Sequence, residues 1–93
     1  MPNVNDIIDY ENGEMLFEDE IEMFQRMIDN GSVWFLQGSY QRTTMEYINS
    51  GYCSLGKKGF KNQFGAYIPS RYEVKEGERG SVGYVQKMME NAF

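Results

Sequence analysis

Histidine is missing from this 93-residue chain, and cysteine is reduced to one residue, Cys53. Without histidine no side chain has an ordinary pKa near neutrality. That removes the usual general base, the Ser-His-Asp and Cys-His nucleophile arrangements, and the commonest zinc ligand. A lone cysteine excludes an internal disulfide, fits a reducing cytoplasm, and builds neither a zinc nor an iron–sulfur site by itself. No Gly-x-x-x-x-Gly-Lys-Ser/Thr run is present, and no Gly-x-Gly-x-x-Gly follows a strand. The longest uninterrupted apolar run, Val33 to Leu36, falls far short of the ~20 residues a bilayer crossing needs. The opening stretch MPNVNDIIDYE has neither a basic region nor an apolar one, so the expectation is no secretory signal and no membrane association.

Basic residues are scarce in the first half. Residues 1–51 hold ten acidic groups against Arg26 and Arg42, a balance of −8, whereas residues 52–93 hold four acidic and seven basic groups, a balance of +3. The sum is −5, arranged as a dipole that would steer partners without choosing the fold. Carboxylates are plentiful enough to leave a two-acid hydrolase as the one enzyme class not excluded. Glu18, Asp19, Glu20 and Glu22, however, crowd the start of an amphipathic segment, where solvation and the helix dipole account for them. The expectation is a protein without catalytic residues, metal or cofactor.

The length implies a single domain, residues 1–93, burying roughly 60–65% of its unfolded surface. Asn12-Gly13, Asn30-Gly31 and Ser50-Gly51 are helix stops, because glycine enters the left-handed region without a side-chain clash. Val4, Ile7 and Ile8 lead to the first stop, with Asn3 or Asn5 as cap. Phe17, Ile21, Phe24 and Ile28 form a helical stripe before the second, widened by Met23 and Met27. Ser39, as N-cap, opens a third segment running to Ser50. Beyond it lie Gly56, Gly59, Gly65, Gly77, Gly80 and Pro69, too many breakers for long helices. Tyr52–Leu55, Phe64–Ile68 and Arg71–Lys75 read as short strands, and 75–80 as a charged turn. Ser81 caps a closing helix with Val82, Val85, Met88 and Met89 on one face; a strand through Val82 and Tyr84 competes with it. The predicted class is α+β: an N-terminal three-helix unit that is acidic (1–51), then a basic, aromatic half (52–93) with a small antiparallel sheet and a C-terminal helix.

Three surfaces are candidates for binding. The first is the acidic face Glu18, Asp19, Glu20 and Glu22, suited to a basic groove built for nucleic acid. The second interleaves cations and rings over 57–75: Lys57, Lys58, Lys61, Phe64, Arg71, Tyr72 and Lys75, a pattern that stacks unpaired bases and tracks phosphates. The third is Gly31-Ser32-Val33-Trp34-Phe35-Leu36-Gln37-Gly38-Ser39-Tyr40-Gln41-Arg42. There Trp34 and Leu36 read as packing, and Gln37, Tyr40 and Arg42 as a polar rim at the mouth of the third helix. Asp9 to Glu14 looks faintly like a calcium loop, but its glycine falls one position early and the closing acid is absent, so a helix end and turn is expected. Asn30-Gly31-Ser32 matches a glycosylation acceptor but reads as the same kind of helix end.

Residues 7–53 also resemble a family of small tailed-bacteriophage proteins without an assigned activity. The resemblance is carried by Tyr10, Glu11, Gly13 and Glu14; by Phe24, Gln25, Ile28, Asp29 and Gly31; by Trp34, Leu36, Gln37, Gly38, Tyr40 and Arg42; and by Gly51 and Cys53. Met15 and Met27 stand where that pattern has leucine, and Gln41 where it commonly has glycine. The resemblance implies phage origin and a place in the cytoplasm of the infected bacterium. The function expected is that of a non-enzymatic binding protein that modulates or inhibits a host protein or protein–nucleic-acid complex, in host takeover or counter-defence. A nucleic-acid-binding module using 57–75 and a minor virion or assembly component are the alternatives. Seven methionines and a thin core leave a homodimer open.

Overall fold

The computed structural model describes residues 4–61 and 65–92. Helices α1 (Val4–Glu11), α2 (Phe17–Asn30) and α3 (Gly38–Ser50) come first, with a 3-10 turn at Ser32–Phe35 between the last two. Strands β1 (Phe60–Lys61) and β2 (Tyr67–Ile68) follow, then α4 (Val82–Ala92). The class is α+β and mostly helical, as expected.

α2 organises the core. Its stripe buries Met23, Phe24, Met27 and Ile28, which meet Val33, Trp34, Ile48, Cys53 and Leu55. Phe24 sits in an aromatic nest, edge-on to Tyr10 at 5.4 Å and to Tyr47 at 5.3 Å between ring centroids. Such edge contacts add about 0.5–1.5 kcal/mol each beyond the area they bury. Trp34 is 2% exposed while its neighbour Phe35 is 75% exposed, because a single 3-10 turn can aim only part of a Trp-Phe-Leu run inward. Leu36 is partly buried against the core. Gln41 is buried within α3, and its amide donates to the Trp34 and Leu36 carbonyls at 3.3 and 2.9 Å. Gln41 thus pins the tryptophan-bearing turn.

The glycine stops behave as read. Gly31 has φ +81° and its N–H closes on the Ile28 carbonyl; Asn30, at the end of α2, accepts from the Ser32 N–H at 2.8 Å. The Asp9–Glu14 stretch is the end of α1 and a turn, with the Glu14 N–H on the Asp9 carbonyl at 2.9 Å. Two expected caps move: Asn5 lies inside α1, and Ser39 is the second residue of α3, whose cap position is Gln37 without a side-chain bond. Asn3 lies outside the described residues.

The small antiparallel sheet is there, with two strands among the described residues, but they fall only in part where alternation placed them. β1 pairs antiparallel with β2, Phe60 opposite Ile68 and Lys61 opposite Tyr67. Of the Phe64–Ile68 expectation, only Tyr67–Ile68 is strand, and Phe64 lies outside the described residues. Tyr52–Leu55 is not a strand, because side chains supply much of its hydrogen bonding. Gln25 accepts from the Ser54 N–H at 2.8 Å and donates to the Ser54 carbonyl at 3.3 Å, and Arg71 Nε donates to the Leu55 carbonyl at 2.9 Å. Arg71–Val74 is turn and bend, and the Arg71 N–H goes to the Gly56 carbonyl in the preceding loop rather than to a neighbouring strand.

The closing element is a helix, Val82–Ala92, and the competing strand through Val82 and Tyr84 is not formed. Ser81 Oγ accepts from the Tyr84 N–H at 3.1 Å and the Gly77 N–H at 2.9 Å, while Glu76 accepts from the Gly83 N–H at 2.7 Å. The bonds to Gly83 and Tyr84 satisfy first-turn donors that would otherwise be orphaned, and the one to Gly77 ties the preceding turn to the cap. Met88 then seats against Gly51, where an added Cβ would come within 2.4 Å of the methionine Cγ.

Candidate functional site

α2 begins without a polar cap. Leu16 occupies the cap position in extended geometry and makes no side-chain bond to the helix. Its side chain is 69% exposed. The first-turn acids Glu18, Asp19 and Glu20 face the positive end of the helix dipole, so negative charge collects around an exposed leucine.

Two clefts adjoin at that leucine. One, about 260 Å³, is lined by Leu16, Met15, Asp9, Glu14, Asp19, Glu22 and one cation, Arg26. The other, about 420 Å³, is lined by Leu16, Phe17, Glu18, Ile21 and Met89. Phe17 is 44% exposed, yet one edge of its ring is fixed by Tyr52 at 5.2 Å. Glu22 meets Arg26 at 3.6 Å, with both side chains largely in solvent, a pairing of small energetic weight.

The expected acidic face is therefore divided. Asp19 and Glu22 point into the first cleft and Glu18 into the second. Glu20 turns inward and accepts a short hydrogen bond from the Tyr47 hydroxyl. Burial, then that bond, raises the Tyr47 pKa above its usual value. Asp9, Glu14, Leu16 and Met89 were not among the binding-surface residues expected from sequence. Asp9 and Glu14 were legible as neighbours of the Gly13 turn, whereas Met89 required knowing where α4 docks.

The polar rim splits as well, since residues two apart in a helix point about 200° away from each other. Gln37 and Tyr40 share a small cleft with Tyr10 and Glu11, and the Tyr40 hydroxyl donates to Glu11 at 2.6 Å. Burial and that contact push the Tyr40 pKa up to about 12. Arg42 faces a different groove beside Trp34, Gln41 and Met45.

The basic segment does not assemble as a whole. Lys57, Lys58, Lys61, Tyr72 and Lys75 are exposed, and Phe64 lies outside the described residues. Arg71 departs from expectation: its guanidinium pairs with Asp29 and holds the Leu55 carbonyl, its side chain only 15% exposed. Lys75 sits with Glu73 and Glu78 beside Arg79. Glu73, its pKa lowered chiefly by the Ser70 N–H, also takes the Tyr67 hydroxyl. Cys53 is buried in the core, and its thiol pKa is raised by burial to about 12. No helix among the described residues is long and apolar enough to cross a membrane.

Residues 2–68 match a family described as a domain of unknown function, DUF7417, and the chain belongs to that family. The match contains α1 to β2, hence Leu16, Phe17 and Ile21, and stops before α4. No curated protein and no solved structure matches the chain.

Proposed function

We propose that this chain is a small phage-encoded, non-enzymatic binding protein. It engages a basic surface on a host protein or protein–nucleic-acid complex in the bacterial cytoplasm and blocks or modulates it. The observation that carries this reading is the set of outward carboxylates Asp9, Glu14, Asp19 and Glu22 gathered on one cleft beside exposed Leu16. Such a face matches the potential of a groove that normally holds phosphates and speeds encounter with it. The phage setting rests on the motif running from Tyr10 to Cys53.

Affinity capture from bacterial lysate tests it, using wild type beside an Asp19→Asn/Glu22→Gln variant that keeps the helix but removes charge. A partner with a basic, nucleic-acid-handling surface, held by wild type and lost with the variant, supports the reading. Equal recovery with both proteins contradicts it. Direct binding of single-stranded nucleic acid at low salt, steeply weakened by added salt and lost on Lys57→Gln/Lys58→Gln, would favour the second half instead; exposed Lys57, Lys58 and Tyr72 are what recommend that arm.

A further inference from the structure

Resting on that reading, we infer that the groove between the start of α2 and the end of α4 receives a basic amphipathic helix of the partner. An apolar side chain enters between Leu16, Phe17, Ile21 and Met89, and Lys or Arg residues lie along the adjoining carboxylates. Leu16, Phe17 and Met89 are 69%, 44% and 37% exposed, and with Ile21 they line one groove of about 420 Å³. Apolar side chains grouped at one groove and rimmed by charge are the arrangement of an interface core with a polar rim. Leu16 belongs to both clefts, so an apolar residue set on it brings its helical neighbours over Asp9, Glu14, Asp19 and Glu22. Residues three and four apart on a helix are surface neighbours, and the two clefts adjoin at Leu16, so one helix face can meet both. Helix α4 shows the packing mode: its Met88 already seats in the space left by Gly51.

Charge decides the occupant. A symmetric pair of this chain would set the same acid-rimmed patch against itself, bringing two negative rims together. Nucleic acid and anionic lipid carry the same sign as the rim. A cationic helix alone satisfies both the apolar groove and the acids.

Three synthetic helical peptides test the inference by fluorescence anisotropy and by methyl and amide NMR of the full chain. One carries leucines at i, i+4 and i+7 among lysines; the second replaces the leucines by serine; the third replaces the lysines by glutamate. The Leu/Lys peptide is expected to bind at least tenfold tighter than either control. It should shift Leu16, Phe17, Ile21 and Met89 first, and weaken tenfold on Leu16→Ser, a substitution at an exposed helix-cap position that should hold or raise Tm, since serine caps a helix better than leucine. Equal binding of the Ser/Lys peptide overturns the groove and leaves the acidic face standing. Failure of both lysine peptides overturns the groove and the acidic reading together. Equal binding of the Glu/Leu peptide, shifts centred elsewhere, or a dimer formed through the same residues each overturn the assignment.

Discussion

Replacing Gly56 by alanine leaves the methyl group nowhere to go. A Cβ there would lie 2.6 Å from the Ile28 carbonyl oxygen and 3.4 Å from Ile28 Cγ2. That oxygen belongs to backbone at the end of α2 and already takes the Gly31 N–H at 3.2 Å, so the helix cannot yield. The loop must retreat instead, stretching the 2.8 Å bonds from the Arg71 N–H to Gly56 and from the Leu55 N–H to Gly80. Overpacking of this kind costs about 1–3 kcal/mol. For a domain this size that lowers Tm by roughly 5–20 °C. Gly38→Ala is the opposite case. Gly38 is the first residue of α3, has no positive φ and meets only the flexible end of Arg42, so alanine there stabilises by about 0.4–1 kcal/mol by restricting the unfolded chain. Urea unfolding followed by Trp34 fluorescence should give shifts of opposite sign for the two variants. A neutral or stabilising Gly56→Ala would refute the packing of the 53–56 loop against α2.

Arg71→Lys keeps the charge but loses the fork joining Asp29 to the Leu55 carbonyl; urea unfolding should show a loss of about 1.5–3 kcal/mol, whereas a nucleic-acid role alone would leave stability unchanged. Cys53, with its thiol pushed up to about 12 by burial, should resist a disulfide reagent at pH 8 and react at once in concentrated guanidinium. Tyr40, neutral beside Glu11 with a folded pKa of about 12 against 10.0, binds a proton that the unfolded state releases between those values. Stability should therefore hold below pH 10 and fall as pH rises toward 12, and Tyr40→Phe should flatten that fall in alkaline melts.

Helical order was legible because glycine and the apolar stripe report on local geometry. Gly31 and Gly51 both take the left-handed conformation, and Phe24 and Ile28 share one buried face. Ser81 was equally plain, a hydroxyl ahead of good helix formers. What sequence could not show were contacts between distant residues. Gln25 pairs with Ser54 across 29 positions and Arg71 with Asp29 across 42, and these side chains take bonds that alternation had assigned to strands. The candidate site was half visible. Acids at the start of α2 stood out, but Glu20 is drawn to Tyr47 by a tertiary contact, and Met89 joins Leu16 only because α4 folds back. Leu16 went unnoticed because leucine at a helix cap makes no hydrogen bond to mark it.

The claim on which the account rests is that charge at the start of α2 guides this protein to a basic partner. The most direct measurement is the association rate with the captured partner across a salt series, for wild type and for Asp19→Asn/Glu22→Gln. Steering by a focused field raises association rates by about 10–10³-fold at low salt. The wild-type rate should fall steeply as salt rises, and the variant should start slower and fall less. Equal rates for both proteins, insensitive to salt, would contradict it.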